Sequence, residues 1–131
     1  MRNVVFLGDI HANFSVLTNV RKRYPNADEI IVVGDFGYGF PNRRSDDKYH
    51  NYHQLQHIVN TFTDTKVRFV RGNHDNLDAI LSDFPMGNVE YIPDGTIEDD
   101  VLYVGGAWSI DGVTGVWPNS RLEGIDWWKN E

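Results

Sequence analysis

The chain has 131 residues, 40% of them hydrophobic and 24% charged, which suits one domain with a core of its own. A formal net charge of −7 argues against broad binding to a nucleic-acid backbone, which needs clustered lysine and arginine, so nucleic acid enters as a substrate at most. There is no cysteine, which excludes disulfides and thiolate metal sites, leaves oxygen and imidazole as metal ligands, and is compatible with the cytoplasm, the compartment expected here.

Asn3 to Leu7 is a short β-branched apolar run halted by Gly8. It predicts a buried strand, and it is too short, with no small-residue cleavage site after it, to be a signal peptide. Ser15 to Tyr24 carries Val16, Leu17, Val20 and Tyr24 at helical spacing, and Pro25 closes it. Glu29 to Val33 predicts a second strand, again running into Gly-Asp. A loop rich in Gly, Pro and charge spans Phe36 to about Asp47, and Tyr49 to Phe62 predicts a helix with Tyr52, Leu55, Gln56 and Val59 near one face. Val67 to Arg71 is the third strand, ending at Gly72. A short helix near Leu77 to Leu81 comes next, then strands at Val89 to Ile92 and Val101 to Val104. No stretch approaches the ~20 apolar residues of a membrane span, and no membrane role is expected. The β-α-β-α-β order predicts an α/β fold with a parallel sheet and helical crossovers, in which ligands bind at the carboxyl ends of the strands.

Each of the first three strands ends in glycine followed by a potential metal ligand: Gly8-Asp9-Ile10-His11, Gly34-Asp35-Phe36 and Gly72-Asn73-His74-Asp75. Glycine lets the chain turn sharply there and brings the next side chain over the sheet edge. A single Gly-Asp after a strand is commonly only a turn or a helix cap. Three such loops in succession would instead present Asp9, His11, Asp35, Asn73 and His74 to one point. Carboxylate, imidazole and amide oxygen together suit Mn, Fe, Zn or Mg. Asp35, on the middle loop, is placed to bridge two ions about 3.5–4 Å apart.

GDIH, GDFG and GNHD resemble the first three signature blocks of the calcineurin-like metallophosphoesterases, written GDxH, GDxx(D/N) and GNH(D/E). The stretch from Gly105 to Asp111, with Trp127, Trp128 and Glu131 beyond it, is similar to the segment after the third block in phage and bacterial members. The resemblance therefore covers essentially the whole chain, 1–131, as a single domain. It implies a metallophosphoesterase-like βαβαβ core in a partial α/β/β/α sandwich. It also implies a metal-dependent phosphohydrolase that cleaves phosphomonoesters or phosphodiesters with two divalent ions as cofactors. By the same resemblance, Asp9 and His11 bind the first metal, Asp35 bridges and Asn73 binds the second. His74 lies beside the phosphate and protonates the leaving oxygen, and Asp75 orients its ring.

The pattern also departs from the family. The second block lacks the Asp or Asn three places after the bridging Asp, and lacks the Asp-Arg-Gly that marks serine/threonine protein phosphatases. No histidine occurs after His74, whereas the family continues with a His-bearing strand end and a Gly-His-x-His block. On that comparison the C-terminal part of the domain is expected to be missing, and the second metal keeps only Asp35 and Asn73. The alternative function is then a catalytically impaired relative serving as a metal-binding or interaction module. Of the remaining histidines, His53 and His57 share a helix face at i, i+4, and with His50 they read as ordinary helix residues. Arg43 and Arg44 suit phosphate, although a solvated loop is the plainer account of them. Trp108, Trp117, Trp127 and Trp128 crowd the last quarter, which predicts exposed apolar surface there and a homo-oligomer formed through it.

Overall fold

The computed structural model describes residues 2–40 and 46–106. Four strands, β1 (Val4–Leu7), β2 (Glu29–Val33), β3 (Lys66–Val70) and β4 (Val89–Tyr91), form one parallel sheet in sequential order. The registers Val5↔Ile30, Ile30↔Val67 and Val67↔Val89 run straight across it. Helices α1 (Ser15–Arg23), α2 (Tyr52–Thr61) and α3 (Leu77–Asp83) make the crossovers. A sequential strand order with right-handed crossovers places every helix on the same face. The side chains agree: Ile30, Val32, Val67 and Phe69 alternate toward Leu17, Leu55, Ile58 and Ile80 in one buried cluster.

The other face of the sheet carries Val4, Ile31 and Val70, which pack with Ile92 and Tyr103 in a second, smaller cluster. Tyr103 belongs to a hairpin of β5 (Thr96–Glu98) and β6 (Val101–Tyr103), paired antiparallel. Its two-residue turn, Asp99-Asp100, has positive φ at both positions, 49° and 65°, the twist that suits a tight hairpin. A buried arginine fastens this hairpin to the sheet. Arg68 gives Glu98 a two-pronged contact at 2.6 and 2.9 Å and reaches Glu29 at 3.3 Å. Glu29 is itself 1% exposed and has Arg2 at 3.4 Å on its other oxygen.

The α/β reading and its βαβαβ core hold, and the fourth parallel strand extends the core by one further unit. Two expectations shift. The helix expected from Tyr49 begins at Tyr52, because Asn51 turns the chain at a φ of 56°. Strand β5 has no counterpart among the expected elements: it has three residues, and its central Ile97 is 71% exposed, so it has no buried apolar pattern to read. Of the second layer, the described part is this hairpin. The four tryptophans, and residues 107–111 of the segment that begins at Gly105, lie outside the described residues. No helix among the described residues is long and apolar enough to cross a membrane.

Candidate functional site

The loops after β1, β2 and β3 meet at the carboxyl end of the sheet. Backbone bonds zip the first to the second: Ile10 and His11 both donate to the carbonyl of Asp35, at 3.2 and 2.9 Å, and Ala12 donates to that of Phe36 at 3.0 Å. Ile10 anchors its loop by turning into the core, 5% exposed, which leaves His11 outward. His11, Ala12 and Asp35 hold positive φ values of 44°, 60° and 42°, a region that costs a residue with a β-carbon energy. Three such residues together at one place mark a conformation that its surroundings impose, as is common where side chains must be aimed.

Two glycines permit this close packing. A β-carbon on Gly37 would overlap the nitrogen of Ala12 and lie 2.7 Å from the carbonyl carbon of His11. One on Gly72 would overlap the nitrogen and Oδ1 of Asp35. The third loop is then clamped to the second by Asp75, which is 2% exposed. Its carboxylate accepts N–H groups from Phe36 at 3.0 Å, Gly37 at 2.7 Å, Tyr38 at 2.9 Å and Gly72 at 2.8 Å. Burial pushes the Asp75 carboxyl up to about 6, against the lowering pull of those four donors. This clamp is a task for Asp75 besides the ring-orienting one that the resemblance implies.

The side chains expected to hold metal converge in part. Asp35, 9% exposed, accepts the N–H of His74 on Oδ1 at 3.0 Å, and its Oδ2 lies 3.6 Å from His11 Nε2. Asp9 Oδ2 is 3.9 Å from the same nitrogen. His11 and His74 meet edge to face with ring centroids 5.0 Å apart. His11, Asp35 and His74 each offer one ligand atom, all within 4.8 Å of one another. One carboxylate between two imidazoles is a donor set that fits a divalent ion of the borderline kind. Asp9 and Asn73 instead join Asp35 along a groove of about 440 Å³ on the side of the β5–β6 hairpin. His11 and His74 line a separate cavity of about 290 Å³. His74, expected beside the phosphate, thus also stands among the atoms able to hold metal.

Two residues of the site carry no signal in the sequence. Phe40 and His50, with Gly37 of GDFG, line the cavity with His11 and His74, and the Phe40 ring lies 5.9 Å from that of His74 at 25° between planes. His50 reads as an ordinary helix residue, yet it precedes the helix, and nothing in its spacing points to this cavity. His53 pairs with Asp47 at 2.5 Å and is exposed, as is His57. Arg43 and Arg44 lie outside the described residues.

Candidate carboxylate and imidazole ligands thus gather at the carboxyl end of a parallel α/β sheet, the place where such folds bind ligands. The family model for calcineurin-like phosphoesterases matches residues 2–130, and the chain belongs to that family. Metal-dependent hydrolysis of phosphate esters is the general activity this membership carries, and His11, Asp35 and His74 form a group able to bind the metal. No curated protein matches the chain.

Proposed function

We propose that this chain hydrolyses phosphomonoesters or phosphodiesters with two divalent ions, of Mn, Fe, Zn or Mg. Asp9 and His11 would hold the first, Asp35 would be shared and Asn73 would hold the second. The observation that carries this reading is the position of Asp35. It lines the groove shared with Asp9 and Asn73, while its Oδ2 faces His11 at 3.6 Å. When bound, the metals supply the charge that acidifies a water and draws the phosphate oxygens in. His74, its backbone N–H tied to Asp35 at 3.0 Å, presents its ring to the cavity and passes a proton to the leaving oxygen. Asp75 keeps His74 in place through the loop clamp and the ring-orienting role implied for it.

One observation favours the impaired alternative: among the described residues the group able to hold a metal is His11, Asp35 and His74, which accounts for a single ion. Manganese stoichiometry per chain, measured together with hydrolysis of a chromogenic phosphodiester, separates the two. Two ions with turnover, lost in Asp35→Ala and His74→Ala, support the enzyme; one ion or none without turnover supports the module. The proposed compartment is the cytoplasm. Self-association through apolar surface is part of the same proposal. Light scattering that finds a monomer at high concentration would sink that part.

A further inference from the structure

The cavity against His74 has walls unlike those of the metal groove. Among the described residues it is lined by His11, Ala12, Gly37, Phe40, His50 and His74, with no lysine, arginine, aspartate or glutamate. Among these residues a second phosphate would find no fixed charge, whereas a flat organic group would find rings on several sides. Phe40 and His74 lie nearly parallel, 25° apart, and give one wall.

His50 gives another, and its place is set by the backbone. Its N–H donates to the carbonyl of Phe40 at 2.9 Å. The next residue, Asn51, turns at a φ of 56° and donates from Nδ2 to the carbonyl of Ala12 at 2.8 Å. The segment carrying His50 is thus tied to two other residues of the same cavity, while its side chain stays exposed and available to a ligand.

We propose that His50 is a specificity-determining residue: with Phe40 it holds a planar aromatic group, the organic part of the phosphate ester, beside His74. This rests on the phosphoesterase reading for the position of the phosphate. With the phosphate on the Asp35 and His11 side and His74 serving the leaving oxygen, the departing group lies in the cavity that His50 lines.

The test needs no turnover. Manganese-loaded protein is titrated calorimetrically with phenylphosphonate and 1-naphthylphosphonate, and hydrolysis of phenyl and 1-naphthyl phosphate is followed in parallel. Wild type should bind the naphthyl compound more tightly, and His50→Ala should lose roughly fivefold on it and little on the phenyl one, an effect of the size of one aromatic contact. His57→Ala, exposed on α2, should change neither. Equal losses on both ligands in His50→Ala, no loss, or a fall in manganese binding would overturn the proposal. Binding with the expected preference but no hydrolysis by wild type would leave His50 in its role and remove the phosphoesterase reading. Hydrolysis by wild type with His50→Ala indifferent to ring size would do the reverse. A wild type that neither binds a phosphonate nor hydrolyses an ester would overturn both.

Discussion

Gly72 lies so close to Asp35 that a β-carbon at position 72 would overlap both the backbone nitrogen and Oδ1 of that carboxylate. The glycine in the loop after β3 therefore decides where Asp35, on the neighbouring loop, can sit. Gly8 ends β1 in the same sequence context, and a β-carbon there would meet nothing within 4 Å.

Gly72→Ala is accordingly expected to push Asp35 off its position. Manganese affinity should fall by about 10- to 100-fold, the usual cost of disturbing the groups that orient a metal ligand. Overpacking should destabilise the fold by about 1–3 kcal/mol. Gly8→Ala should change stability by no more than about 0.5 kcal/mol. Metal titration and urea denaturation of the two variants check this, and equal behaviour would show that the contact with Asp35 does not position it.

Asp75→Asn tests the loop clamp. The carboxylate accepts four backbone N–H groups, whereas an amide presents donors of its own to some of them. With the site 2% exposed, a destabilisation of about 3 kcal/mol is expected, because buried donors lose an ionised acceptor. Urea unfolding gives the magnitude. Hydrogen exchange at Gly37 and Tyr38 gives the location, and protection unchanged there would mean the four bonds do not hold the loop.

These two residues show why part of the site is legible in the sequence and part is not. The apolar runs before Gly8, Gly34 and Gly72, and the polar residues after them, are local signals, so the parallel core and the candidates Asp9, His11, Asp35, Asn73 and His74 can be read in chain order. Asp75 is visible as part of GNHD, but its partners Phe36 to Tyr38 lie 37 to 39 residues away and only folding brings them to it. The same holds for Gly37 against His11 and Ala12, and for His50, whose entry into the cavity depends on the turn at Asn51. Strand β5 is illegible for another reason: a charged contact to Arg68, rather than apolar burial, fixes its end.

That contact predicts a pH dependence. The Arg68 guanidinium, bonded to both oxygens, holds the Glu98 carboxyl below its usual range. A depressed folded value means that the stabilisation is present above the unfolded pKa of about 4.3 and is lost as pH falls through the folded value. Denaturation curves of wild type and Glu98→Gln should therefore differ at pH 7 and converge as the solution is acidified below about pH 4. Glu98 is partly exposed, so the difference should shrink in high salt. A gap that stays constant from pH 7 to pH 3 would mean that the pair contributes nothing through its charge.

Arg68→Met removes the cation from between Glu29 and Glu98. Glu29 has a side chain 2% exposed and would be left with Arg2 alone, at 3.4 Å. Taking one of its two cations from a buried carboxylate should cost up to about 3 kcal/mol, so this variant should be less stable than Glu98→Gln, where the arginine keeps Glu29. Replacing both charges, as Glu29→Gln with Arg68→Met, should recover part of the loss, because no buried charge then lacks its partner. Urea denaturation of the single and double variants completes the cycle. A double variant as unstable as the sum of its parts would show that Glu29 and Arg68 act independently.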